Sequence, residues 1–158
     1  MDKRVNLERG IVLKKPNLGY YIQKINDIVT TSEEIGELMN PSYETIRTAI
    51  DSKKLADLTS EQLKETKELF MSGTDKYRTL LAEIKGLKAP VKVIGIHKKL
   101  EKSFETYVFG CQEMVDSINV EETSVNQEQF NTSETKQDEA TDEISFCIQR
   151  ITQLVMGK

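Results

Sequence analysis

Large apolar side chains recur at alternating steps of three and four along most of the chain, and only a helix places such a series on one face. The clearest run is Leu18, Tyr21, Ile25, Ile28, Ile35 and Met39, with Ser32 as its one polar member. Ile22 and Val29 widen the stripe. The spacing predicts a helix from about residue 17 to residue 39. Asn40-Pro41 is expected to stop it, because the residue before a proline is pushed out of the helical region.

The next pattern starts at Pro41, a good first-turn residue, and carries Tyr43, Ile46, Ala49 and Ile50. Near Leu58 a second start signal follows. Thr59 and Gln62 have capping-box spacing, and Leu58 and Leu63 flank them as a hydrophobic staple would. A break or kink near residues 57–59 is expected, a single long kinked helix being the alternative. From there Leu63, Thr66, Phe70, Gly73, Tyr77, Leu80, Ile84 and Leu87 form one stripe. Lys88-Ala89-Pro90 makes a tight corner, and a helix from Pro90 to about Asn119 buries Val93, His97, Leu100, Phe104, Val108, Cys111 and Val115. The stretch 120–143 is rich in Glu, Thr, Ser, Gln and Asn, a composition compatible with disorder. The register of Ile144, Cys147, Ile148, Ile151 and Leu154, extended backwards, predicts a last helix from about Thr132 to Met156.

Amphipathic helices do not stand alone in water, and short connections favour antiparallel neighbours. The expected architecture is therefore all-α: an up-and-down antiparallel bundle of four long helices, one of them broken near residues 57–59. A chain of 158 residues makes one such domain. It divides into an extended basic arm, residues 1–16, and a single bundle domain, residues 17–158.

Charge narrows the function. The formal net charge is −4, whereas a nucleic-acid binder needs a basic surplus. Lys3, Arg4, Arg9, Lys14 and Lys15 of the arm stand against two acidic side chains, and 120–143 holds eight acidic side chains against Lys136. Both read as solvated surface. The sharper alternative is that the arm meets an acidic helix end, in this chain or a neighbour. No apolar run reaches the roughly 18 residues of a membrane span, and Ile11-Val12-Leu13 is too short for a signal-peptide core. A cytoplasmic location is expected, with leaderless secretion as the alternative.

The residues that carry chemistry are few. His97 is the only histidine and lies on an apolar face, one turn before Glu101. A di-iron bundle needs Glu-x-x-His on two helices, but residue 94 is Ile. Zinc needs several Cys or His ligands. His97 thus reads as a buried side chain hydrogen-bonded to a neighbouring helix. Cys111 and Cys147 read as core thiols; they stand level in a hairpin only if its turn centres near residue 129, whereas the helix bounds above centre it near 125. Gly73 and Gly110 inside helical patterns read as points of close helix contact. No nucleophile motif or phosphate loop occurs, and the paired carboxylates (Glu33, Glu34, Glu37; Asp142, Glu143) lie off the apolar faces. Neither a cofactor, a metal nor a small-molecule ligand is expected.

Most aromatic side chains fall on core stripes. Tyr20, Tyr43, Phe109 and Phe130 fit them less well and form the candidate partner surface. The expected role is a non-enzymatic adaptor or scaffold acting through protein–protein contacts, with a protein partner or a second copy as a homodimer.

Leu87-Lys-Ala-Pro90, His97-Lys-Lys-Leu100, Phe104 and Tyr107 together resemble a helix-turn-helix corner of uncharacterised helical-bundle proteins from Gram-positive bacteria. The likeness spans residues 84–118 and implies a bundle without any catalytic assignment. Val108-Phe109-Gly110 is similar to the Trp-x-Gly turn of small helical substrates of type VII secretion. Here the Trp is absent and the triplet falls inside a predicted helix. That likeness implies a secreted or surface-associated protein as the alternative role.

Overall fold

The computed structural model describes residues 17–157; the basic arm, residues 1–16, lies outside them. Four helices pack side by side: α1 (Leu18–Asp51), α2 (Ser60–Gly86), α3 (Ile94–Asp116) and α4 (Gln127–Met156). Successive helices run antiparallel. Tyr77 of α2 reaches Ser32 of α1, Lys85 of α2 pairs with Glu105 of α3, and Lys99 of α3 lies near Glu143 of α4. The all-α bundle expected from the periodicity is the fold of the protein. Among the described residues, no helix is long and apolar enough to cross a membrane.

The division into helices differs from the expected one at Pro41. Instead of stopping α1, Pro41 sits inside it. Proline in a helix interior removes one hydrogen bond and costs about 3 kcal/mol, so packing on both sides of it must outweigh that cost. Ile25, Ile28 and Ile35 before the proline belong to one buried cluster, with Tyr77, Leu100 and Phe104. Ile46 and Ile50 after it belong to a second, with Leu63, Phe70, Ile118 and Phe130. Met39 touches both clusters.

α1 ends instead at Ser52. Lys53 takes a left-handed backbone (φ 57°), and the amides of Lys53 and Lys54 donate back to the carbonyls of Ile50 and Ala49. This is the Schellman geometry that closes a helix. A 3-10 turn at Leu55–Asp57 then leads to the Thr59 capping box, where both reciprocal bonds are formed. The break expected near 57–59 is thus the connection between α1 and α2.

The α3–α4 connection is a short antiparallel ladder, not a disordered stretch. β1 (Ile118–Asn119) pairs with β2 (Ser124–Val125), Ile118 opposite Val125. Lys67 of α2 donates to the Ile118 carbonyl at 2.7 Å. Asn126 caps α4, its side chain accepting from the Gln129 amide at 2.9 Å, so α4 starts five residues before the expected Thr132. Its first turn is held by Phe130, which is fully buried.

Candidate functional site

α1 and α4 touch least of all the adjacent helix pairs. One clamp holds them. The Tyr43 hydroxyl donates to Glu134, and Arg47 pairs with Glu134 at 2.7 Å and Asp51 at 2.8 Å. The Tyr43 ring stacks on Phe130, centroids 6.0 Å apart, with the Arg47 guanidinium 5.7 Å from the Phe130 centroid. Away from the clamp the two helices part, and a cavity of about 600 Å³ opens between them. Its mouth is edged by Glu33 of α1 and by Thr141, Ser145 and Gln149 of α4, all exposed. It reaches through the bundle to Tyr77 and Ile84 of α2 and to Leu100, Phe104 and Tyr107 of α3.

The walls are mostly hydrocarbon: Ile25, Ile28 and Val29 on one side, Ile144 and Ile148 on the other. Sealed and empty, such a space would cost about 14 kcal/mol at roughly 24 cal/mol per Å³. A whole domain is worth about 5–15 kcal/mol. The opening to solvent removes that penalty and leaves wetted apolar surface, which favours any ligand able to cover it.

Polar groups at the floor are paired with one another. Tyr107 donates to Tyr77 at 3.3 Å, and Tyr77 donates to the Ser32 carbonyl at 3.3 Å. Burial pushes both phenols above their ordinary range, so they stay protonated. The two rings meet edge to face, centroids 5.0 Å apart. A second cavity of about 140 Å³, lined by Met39, Tyr43, Phe70, Cys111 and Met114 among others, shares Gly36 and Tyr107 with the first.

Gly36 is the signal that sequence reasoning missed. A Cβ placed there would meet only the Tyr77 hydroxyl, at an ordinary 3.6 Å. Glycine costs a helix about 1 kcal/mol relative to alanine, and no close packing requires it at this position. It lines both cavities, and the absent side chain leaves space beside each. Gly73 and Gly110 differ, as expected of close contacts. A Cβ at Gly73 would overlap the Met39 sulfur, and one at Gly110 would lie 3.0 Å from Gln137.

The four residues of the expected partner surface differ in exposure. Tyr20 and Phe109 are exposed, at 59% and 58%. Phe130 is fully buried and Tyr43 half-buried, because the α1–α4 clamp uses both. The candidate surface is corrected accordingly. Phe146, unremarked in the sequence, is 53% exposed on α4. Phe109 and Phe146 each lie under a lysine of the facing helix, Lys136 at 4.7 Å and Lys99 at 5.2 Å.

His97 is buried and joins three elements. Its Nε2 lies 3.0 Å from the Ile84 carbonyl and 3.2 Å from Glu101, both acceptors, so Nε2 carries the proton. Nδ1 then accepts from the Tyr21 hydroxyl at 2.7 Å. Burial, helped by the Glu101 charge, holds the Tyr21 phenol protonated. Both thiols are free and buried. With the hairpin centred between residues 121 and 122, Gly110, next to Cys111, lies against Ser133, and Cys147 lies beside Ser103. Cys111 is pushed up to about 12 by burial. No protein-family model matches the chain, and no curated protein or solved structure shows significant similarity to it.

Proposed function

We propose that this bundle is a non-enzymatic binding protein that takes an apolar ligand into the cavity between α1 and α4. The observation that carries the reading is the cavity of about 600 Å³, lined by all four helices and open along one seam. Small-molecule sites occupy about 300–1,000 Å³ and commonly form between the helices of a bundle. The tyrosine hydroxyls that reach the floor are bonded to each other and held protonated, which suits a wall better than a reacting group.

A neutral apolar dye, N-phenyl-1-naphthylamine, tests this directly. The chain has no tryptophan, so its background emission is low. Dye fluorescence should rise with saturable binding to the wild type. Affinity should fall at least tenfold for Gly36→Leu, which adds a side chain to the cavity lining at a helix position where glycine is unfavourable. No saturable binding by the wild type rejects the reading.

Phe109 and Phe146 favour a second reading, the adaptor. Two half-exposed phenylalanines on the α3–α4 face offer anchors to a protein partner or a second copy. Light scattering of the wild type and of the double variant Phe109→Ala, Phe146→Ala distinguishes self-association through this face from a monomer. The cytoplasmic setting expected from the sequence, and secretion by a leaderless route, are separated by fractionating cells and locating the native protein.

A further inference from the structure

The mouth of the cavity has a charge preference written into the two helices that frame it. α1 and α4 each carry six acidic and two basic side chains, whereas α2 carries five of each and α3 four acidic against three basic. The two helices that frame the opening therefore carry more net negative charge than α2 and α3 do. Glu33 is the one charged side chain among the described residues lining the space. The other exposed groups at the rim, Thr141, Ser145 and Gln149, are neutral hydrogen-bonding side chains. On α4, three residues before Thr141, Asp138 is raised from its ordinary value by desolvation and by the neighbouring Glu134 and Asp142 charges. A further anion on this side would add to that repulsion, and a cation would relieve it.

The interior has the opposite character. From Glu33 to Ile25 the α1 wall runs about 12 Å at 1.5 Å per residue. Along that length it presents Val29, Ile28 and Ile25, faced by Ile144 and Ile148 of α4. A ligand that satisfies both parts has an unbranched apolar tail and one positively charged head.

Resting on the reading of the cavity as a ligand site, we propose that its ligand is a single-chain aliphatic amine in its ammonium form. The tail lies toward Ile25 and Ile84, and the head lies at the α1–α4 mouth beside Glu33. The mouth is solvated, so the charge selection weakens with salt, while tail binding persists.

The test is displacement of N-phenyl-1-naphthylamine from the full chain by decylamine, decanol and decanoate, below their micellar concentrations at pH 7. Decylamine is protonated there, as a lysine side chain is. Decylammonium is expected to displace the dye at a concentration at least tenfold lower than decanoate, with decanol between them. The ratio should shrink toward one in 0.5 M salt. Glu33→Lys should narrow or invert it, whereas Glu68→Lys, an equal charge change on exposed α2 surface, should leave most of it in place. Decanoate equalling or surpassing decylammonium overturns the charge assignment while leaving the cavity reading intact. Equal shifts from the two lysine variants overturn the role of the mouth. Failure of the dye and all three amphiphiles to bind removes the cavity reading itself, and the proposal with it.

Discussion

Lys53 holds a left-handed backbone at the end of α1, a conformation that costs a non-glycine residue roughly 1–2 kcal/mol. The Schellman bonds from Lys53 and Lys54 fix it there. Lys53→Gly removes the strain but gives the unfolded chain more freedom, an offset of about 0.4–1 kcal/mol. The expected net gain is about 0.5–1 kcal/mol, or about 1–4 °C in Tm. Lys53→Ala, which removes the charge and keeps the strain, should give no gain; equal stabilisation by Ala would show the effect to be electrostatic. This end was not legible in the sequence, because Ser-Lys-Lys carries none of the usual marks of a helix terminus. The opposite held at Thr59 and Gln62, whose spacing names its own hydrogen bonds. His97 was also readable as a buried, bonded side chain, but which groups would hold it was not. Tyr21 and Ile84 come from two other helices, and only the packing of the bundle brings them to its ring.

At the level of elements, the local rule at Pro41 pointed the wrong way because it weighs one residue against its neighbours only. Pro41 lies where α1 passes from one buried cluster to the other. Isoleucines on both sides are buried against three other helices, at about 1.5–3 kcal/mol for each fully buried side chain. Two or three of them outweigh the proline. Pro41→Ala is therefore expected to stabilise the protein by about 2 kcal/mol, the helix-interior cost of proline less its effect on the unfolded chain. Urea unfolding should show a higher midpoint with an unchanged slope. An unchanged midpoint would mean that proline carries no such penalty here. Composition misled in the same way over 120–143. Asn126 with Gln129 is a capping signature, and Ile118 alternates with polar Asn119, yet the surrounding Glu, Thr and Ser hid both. Phe130 looked like a lone exposed ring because its partners, Tyr43 and Arg47, lie more than 80 residues away.

For the whole molecule, helix periodicity specifies four apolar stripes but not how closely they approach, so the bundle was legible and the cavity was not. A stripe of Ile25, Ile28, Val29 and Ile144 reads the same whether it meets a neighbouring helix or an open space. The same close burial gives the molecule a measurable alkaline limit. Burial raises Cys111 from an ordinary 9.0 to about 12, and raises the phenols of Tyr21, Tyr77 and Tyr107 above 10.0. In the unfolded chain these groups release their protons first. The unfolded state then binds fewer protons than the native one, and stability falls as pH rises. The stability these groups contribute is complete below about pH 9 and declines above it. Each group contributes a slope of up to about 1.4 kcal/mol per pH unit between its unfolded and folded values. Burial raises Cys147 from 9.0 as well, so from pH 9 to 10 the two thiols act alone; above 10 the tyrosines join and the slope steepens. Urea unfolding at half-unit steps from pH 8 to 11 should show this two-stage decline, and Cys111→Ala should lower the slope by up to about 1.4 kcal/mol per pH unit in both stages, Cys147 keeping part of the first. Tyrosinate absorbance of the native protein should lag behind that of the urea-unfolded chain over the same range. If native and unfolded absorbance rise together, the phenols ionise freely in the fold, and the decline must come from groups on the surface.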